Sequence, residues 1–119
     1  MPYILDTELN TLDALRKFIA HSHREEITFV CPVELFASAG PVYWMIRKEE
    51  LQQEFPHKKL VFWHNAGDMA GYALGALRMG VRHLIFTGAE KTFLKIKSIA
   101  NHYQAIVIPS EKYLENGRS

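Results

Sequence analysis

With a single cysteine, Cys31, in 119 residues, the chain can form no internal disulfide and no zinc site built on several thiolates. Charge of one sign is also missing. Fourteen Lys and Arg face thirteen Asp and Glu, so the net charge is +1, and no bulk field favours nucleic acid or an acidic membrane surface. No apolar run approaches the roughly 20 residues that span a bilayer. The opening segment "MPYILDTELN" lacks the basic and apolar regions of a secretory signal. Neither a P-loop nor a G-x-G-x-x-G fingerprint occurs, so no nucleotide cofactor is indicated. No His pair has H-x-x-x-H spacing, and "HSHREE" places His21 and His23 on different helix faces, so no metal site is expected. These absences read as a cytoplasmic protein without membrane or nucleic-acid partners.

What is present is a fold pattern. No linker divides the chain, so residues 1–119 read as one α/β domain, with 114–119 as a frayed tail. Four short runs are continuously apolar: "ITFV" (27–30), "LVFW" (60–63), "HLIF" (83–86) and "AIVI" (105–108). Continuous rather than alternating apolarity is what a parallel sheet buried on both faces requires. "YILD" near the start adds a short edge strand.

Helical patterns alternate with these runs. Leu12, Leu15, Phe18 and Ile19 share a face of a helix that Thr11 would cap. Val42, Met45 and Ile46 begin a second, with Pro41 in its first turn and Pro56 at its end. A third runs from about Asp68 to Met79, stopped by Gly80, and a fourth from about Glu90 to His102. The expected fold is a three-layer α/β sandwich: a four- to five-stranded, mostly parallel sheet with helices on both faces, in the manner of flavodoxin-like, Rossmann-like or STAS-like domains.

In such sheets ligands lie beyond the carboxyl ends of the strands. There the sequence places "CPVELFASAG", "HNAGDMAG", "TGAEKT" and "PSEKY". Asn65, Gly67, Asp68, Gly71, Thr87 and Gly88 are the candidate binding residues for a small anion at helix N-termini. The competing reading is structural. Ala70, Gly71, Ala73, Gly75 and Ala76 would let a helix lie close on the sheet, Asp68 would cap that helix, and Thr87 or Gly88 would cap the next. Cys31 ends one strand and His64 lies near the end of another. If they converge, they form a candidate nucleophile and base. Tyr43 and Trp44 are consecutive in a helix and cannot both face the sheet, so one is a candidate for an interface, with a partner protein or a second copy.

The segment from Leu60 to Ala100 carries "DMAG" at a strand-to-helix turn and "FTGAEKTFLKIKSIA" over the following strand and helix. In this it resembles the sulfate-transporter/anti-sigma-antagonist (STAS) domains. The resemblance covers about a third of the chain. Ala70 stands where that family carries its phosphorylatable serine, and the family's N-terminal β-hairpin is not evident. The resemblance thus implies an α/β fold without the phosphorylation switch. The preferred functional reading is a non-catalytic binding or regulatory domain. The alternative is a small enzyme built on Cys31 and His64.

Overall fold

The computed structural model describes residues 2–6 and 9–116. Along the chain lie β1 (Tyr3–Ile4), α1 (Leu12–His21), β2 (Glu26–Cys31), α2 (Val33–Ala39) and α3 (Pro41–Glu54). Then follow β3 (Lys59–Asn65), α4 (Ala70–Met79), β4 (His83–Ile85), α5 (Glu90–His102), β5 (Ile106–Ile108) and α6 (Lys112–Asn116). The five strands form one sheet in the order β1-β2-β3-β4-β5, every neighbouring pair parallel. The four apolar runs and the edge strand lie where their composition placed them.

Sequential order has a consequence for layering. Right-handed crossovers between neighbours that always step the same way put their helices on one side of the sheet. The buried residues agree: Leu15 and Ile19 of α1, Phe36 of α2, Trp44 and Leu51 of α3, Ala73 and Leu77 of α4, and Ile96 of α5 share one cluster with Phe29, Phe62 and Leu84. The opposite face carries a second, smaller cluster of Val30, Val61, Trp63 and Ile85, against which Leu114 of α6 packs. Among the described residues helices thus lie on both faces, five on one and a short one on the other. The order contains no reversal, unlike the doubly wound 3-2-1-4-5-6 and 2-1-3-4-5 arrangements, so it has no switch-point crevice.

Local chemistry sets the ends of the elements. Thr11 caps α1 as expected, its Oγ1 accepting from the Ala14 amide at 3.1 Å. Gly40, at φ 82°, ends α2 and starts α3, and Pro41 follows in the first turn. The α2 helix occupies "VELFASA", read from sequence as part of a loop; its good helix formers between Pro32 and Gly40 were the available signal. The α4 helix begins at Ala70 with Met69 as N-cap, and α5 has Ala89 in that position, neither with a side-chain cap. Asp68, Thr87 and Gly88 therefore do not cap these helices. Of the tail expected at 114–119, residues 114–116 are the end of α6, and 117–119 lie outside the described residues.

The turn between α3 and β3 is held by Gln52. Its Nε2 donates to the carbonyls of Phe55 (3.2 Å) and Lys58 (2.5 Å), and its Oε1 accepts from the Leu60 amide at 3.0 Å. Removing part-buried partners of this kind costs about 1–3 kcal/mol. Gln52→Ala is expected to lower unfolding free energy in urea by that amount, while Gln53→Ala, at an exposed position, stays within about 0.5 kcal/mol of the wild type.

Candidate functional site

Cys31 and His64 do converge. They are register partners on neighbouring strands, Cys31 at the end of β2 and His64 one residue before the end of β3. Both side chains are on the face covered by the large helices: Cys31 belongs to the main core cluster, and the His64 ring lies 5.7 Å from the ring of Phe36. Their environment opposes the proposed chemistry. Cys31 is 0% exposed, and burial pushes its thiol up to about 12. His64 is 3% exposed. Burial first, and His83 second, push its imidazole down to about 4. A thiolate–imidazolium pair needs the reverse of both shifts. The Cys31 Sγ lies 3.9 Å from the Pro32 carbonyl oxygen, and His64 Nδ1 has no hydrogen-bond partner.

The other candidates fall into two groups. Asn65, Gly67 and Thr87 are tied together at the carboxyl ends of β3 and β4. Asn65 Oδ1 accepts from the Gly67 amide at 2.8 Å, its Nδ2 donates to Glu111 at 3.2 Å, and the Thr87 amide donates to the Gly67 carbonyl at 2.7 Å. Gly67, at φ +59°, makes the sharp exit from β3. The amides of Gly67 and Thr87, natural anion donors, are thus engaged within the chain. Asp68 is exposed beside them. Gly88 closes over a ring: a Cβ there would fall 2.5 Å from Phe86 Cζ, which accounts for a glycine by packing.

Gly71 stands apart from that rim. It lies in the first turn of α4, and a Cβ on it, or on Gly75, would meet nothing within 4 Å. The residues that set α4 close on the sheet are Ala73, Ala76 and Leu77. The expectation that the glycines serve that contact is therefore corrected: they face away from the core. Gly71 and Gly75 line a shallow groove of about 440 Å³ with Pro41, Tyr72, Ala76 and Met79. Exposed apolar side chains occur on both α4, which lines the groove, and α3, which contributes Pro41 to it. Met79 is 58% exposed, Ile46 48%, Tyr72 46% and Val42 42%. Of the aromatic pair, Trp44 is buried in the core and Tyr43 is on the surface beneath Arg47, 5.0 Å from its ring centre. Sequence reasoning missed this surface because it treated all the small residues of α4 as one face. Gly71 and Gly75 are four apart, and neither shares the spacing of Ala73, Ala76 and Leu77.

No group of three His, Cys, Asp or Glu among the described residues is placed to hold a metal ion, and none of their helices is long and apolar enough to cross a membrane.

Two measurements follow. The unfolded His64 takes up a proton near pH 6.5, the folded one only near 4. Its neutral burial is accommodated fully above pH 6.5, and stability is lost as pH falls from there towards 4, because the unfolded state binds the proton first. At about 1.4 kcal/mol per pH unit, this amounts to about 3 kcal/mol. Urea denaturation at pH 7 and pH 4 is expected to show His64→Phe losing about 3 kcal/mol less than the wild type across that interval. Separately, the Cys31 thiol is expected to react with a disulfide reagent only at the rate of global or local opening; a fast native reaction that His64→Phe abolishes would restore the nucleophile.

Compared with known proteins, the chain matches no family model, no curated protein and no solved structure.

Proposed function

We propose that this chain is a non-catalytic binding domain that works by self-association through the outer face of α3 and α4. The observation that carries the reading is the pair Gly71 and Gly75. Glycine inside a helix costs about 0.5–1 kcal/mol against alanine. The chain's own packing makes no use of either, since beyond the backbone of α4 itself nothing lies within 4 Å of the Cβ each lacks. Two such glycines one turn apart let another backbone come close. They are bordered by exposed Tyr72 and Met79, with Val42 and Ile46 one turn apart on α3. The same patch carries hollows, Gly71 and Gly75, and projections, Tyr72 and Met79. An isologous dimer requires one patch to supply both, so that the projections of each copy can enter the hollows of the other across a two-fold axis. A second copy of the chain is thus the favoured partner.

The other readings have less support. A small anion at the carboxyl ends of the strands would need donors already engaged within the chain, the Gly67 amide on Asn65 Oδ1, the Thr87 amide on the Gly67 carbonyl and Asn65 Nδ2 on Glu111. A Cys31–His64 enzyme draws on their adjacency in register, but both groups are held in the wrong protonation state by burial.

The test is the double variant Gly71→Ala/Gly75→Ala. Because the added methyl groups meet nothing within the chain, they are expected to raise the stability of the dilute protein by about 1–2 kcal/mol. The same methyl groups are expected to weaken wild-type self-association at least tenfold in sedimentation equilibrium. A wild type that sediments as a monomer at every concentration refutes the reading.

A further inference from the structure

The chain carries two kinds of sulfur, and the fold treats them oppositely. Cys31 is fully buried and its thiol stays protonated, so an oxidant in solution meets no thiolate there. A thioether has no proton to lose and is oxidised wherever an oxidant reaches it. Three methionines are among the described residues. Met45 and Met69 are partly buried, and Met45 tucks its Cε against Gly80. Met79, in the last turn of α4, is 58% exposed, the highest value of the large apolar side chains on α3 and α4.

The place of Met79 matters more than its exposure. It lines the groove with Gly75 and Gly71, which precede it by four and eight residues and so share its side of α4. The rest of that lining, Pro41, Tyr72 and Ala76, is largely hydrocarbon. In the self-associated chain Met79 is a projection that leaves water for the groove of the second copy. A thioether tip sheds its water at little cost. A sulfoxide tip carries a dipolar oxygen that holds water by hydrogen bonds, and giving those up for an apolar groove opposes entry.

From these observations we infer that Met79 is an oxidation site through which a hydroperoxide weakens self-association of this chain; this rests on the reading of the α3 and α4 face given above. The Met79 sulfur attacks the hydroxyl oxygen of the hydroperoxide and the O–O bond breaks. The proton on the transferred oxygen passes to the leaving oxygen, which departs as water or an alcohol. Sulfur is oxidised by two electrons to the sulfoxide, and the hydroperoxide is reduced by the same two. Oxidation and association are then linked in both directions. The sulfoxide weakens the dimer, and the dimer shields Met79 from the oxidant.

The test is sedimentation equilibrium of the untreated chain and of the chain treated with hydrogen peroxide, with oxygen uptake assigned to each methionine by peptide mass spectrometry. An untreated chain that never associates refutes the self-association reading before any peroxide is added, and the role of Met79 with it. In a chain that associates, Met79 is expected to take up oxygen before Met45 and Met69, and more slowly as protein concentration rises. The oxidised chain is expected to associate at least tenfold more weakly, with an unchanged far-ultraviolet circular dichroism spectrum. Met79→Leu keeps the association and loses the response to peroxide, while Met79→Gln weakens association tenfold or more without peroxide. Methionine sulfoxide reductases acting on both sulfoxide epimers restore the treated wild type. Three results overturn the role of Met79 and leave self-association standing: unchanged association once Met79 is fully oxidised, a peroxide response that persists in Met79→Leu, or loss of the helical signal on oxidation, which would make unfolding the cause.

Discussion

The six-residue pairing of β2 with β3 is the contact from which the rest of the molecule is built. It runs without interruption from Glu26↔Lys59 to Cys31↔His64 and aligns Phe29 with Phe62, whose rings lie 5.0 Å apart. Each later strand is added on the same side, so each crossover returns its helix to the same face. A one-sided core follows, and with it the distribution of everything that has a candidate function. The large helices cover Cys31 and His64 completely, while their own outer faces are left to water.

Because β4 and β5 are only three residues long, the sheet is unequal from one end to the other. At the carboxyl end the strands meet, and Asn65, Gly67, Thr87 and Glu111 bind the loops to one another. At the amino end the short strands leave β3 partly unpaired, and side chains tie the loops and helices there. Gln52 satisfies the Leu60 amide, Lys58 Nζ donates to the carbonyls of Ser22 and Arg24 at 2.8 Å each, and Arg16 forms a forked pair with Glu54 at 2.7 and 2.8 Å. A cavity of about 230 Å³ between α3, the first half of β3 and the Gly80–His83 segment opens from this looser end and extends up to His64. In a doubly wound sheet the open crevice lies at the carboxyl end, at the reversal of strand order; a sequential sheet has no such crevice.

Cys31 and His64 show how adjacency and chemistry separate. Their convergence follows from parallel register, since each lies near the end of its strand. Their reactivity follows from dielectric environment, which depends on what α2 and α3 place above them. Phe36 and the neighbouring core remove water from both, and each group is pushed to its neutral form. The proximity that suggested a nucleophile is the outcome of register, while close packing leaves Nδ1 of His64, like Nε1 of Trp44, buried without a hydrogen-bond partner.

By itself the sequence determined the elements that depend on local composition. The continuous apolar runs became β2 to β5, Thr11 capped α1, Gly80 stopped α4, and α5 has the ends its pattern marked, Glu90 and His102. These are short-range effects, written in neighbouring residues. The α2 and α6 helices escaped because a helix of seven or five residues carries too few turns to display a period. Only the tertiary structure decided strand order, and with it which face each helix covers. Only it showed that Gly71 and Gly75 face outward, that Trp44 rather than Tyr43 enters the core, and that His64 borders a cavity. The reason is physical. Which side of a helix is buried, and which groups lose water, depends on surfaces brought together from distant parts of the chain, and no local pattern contains that information.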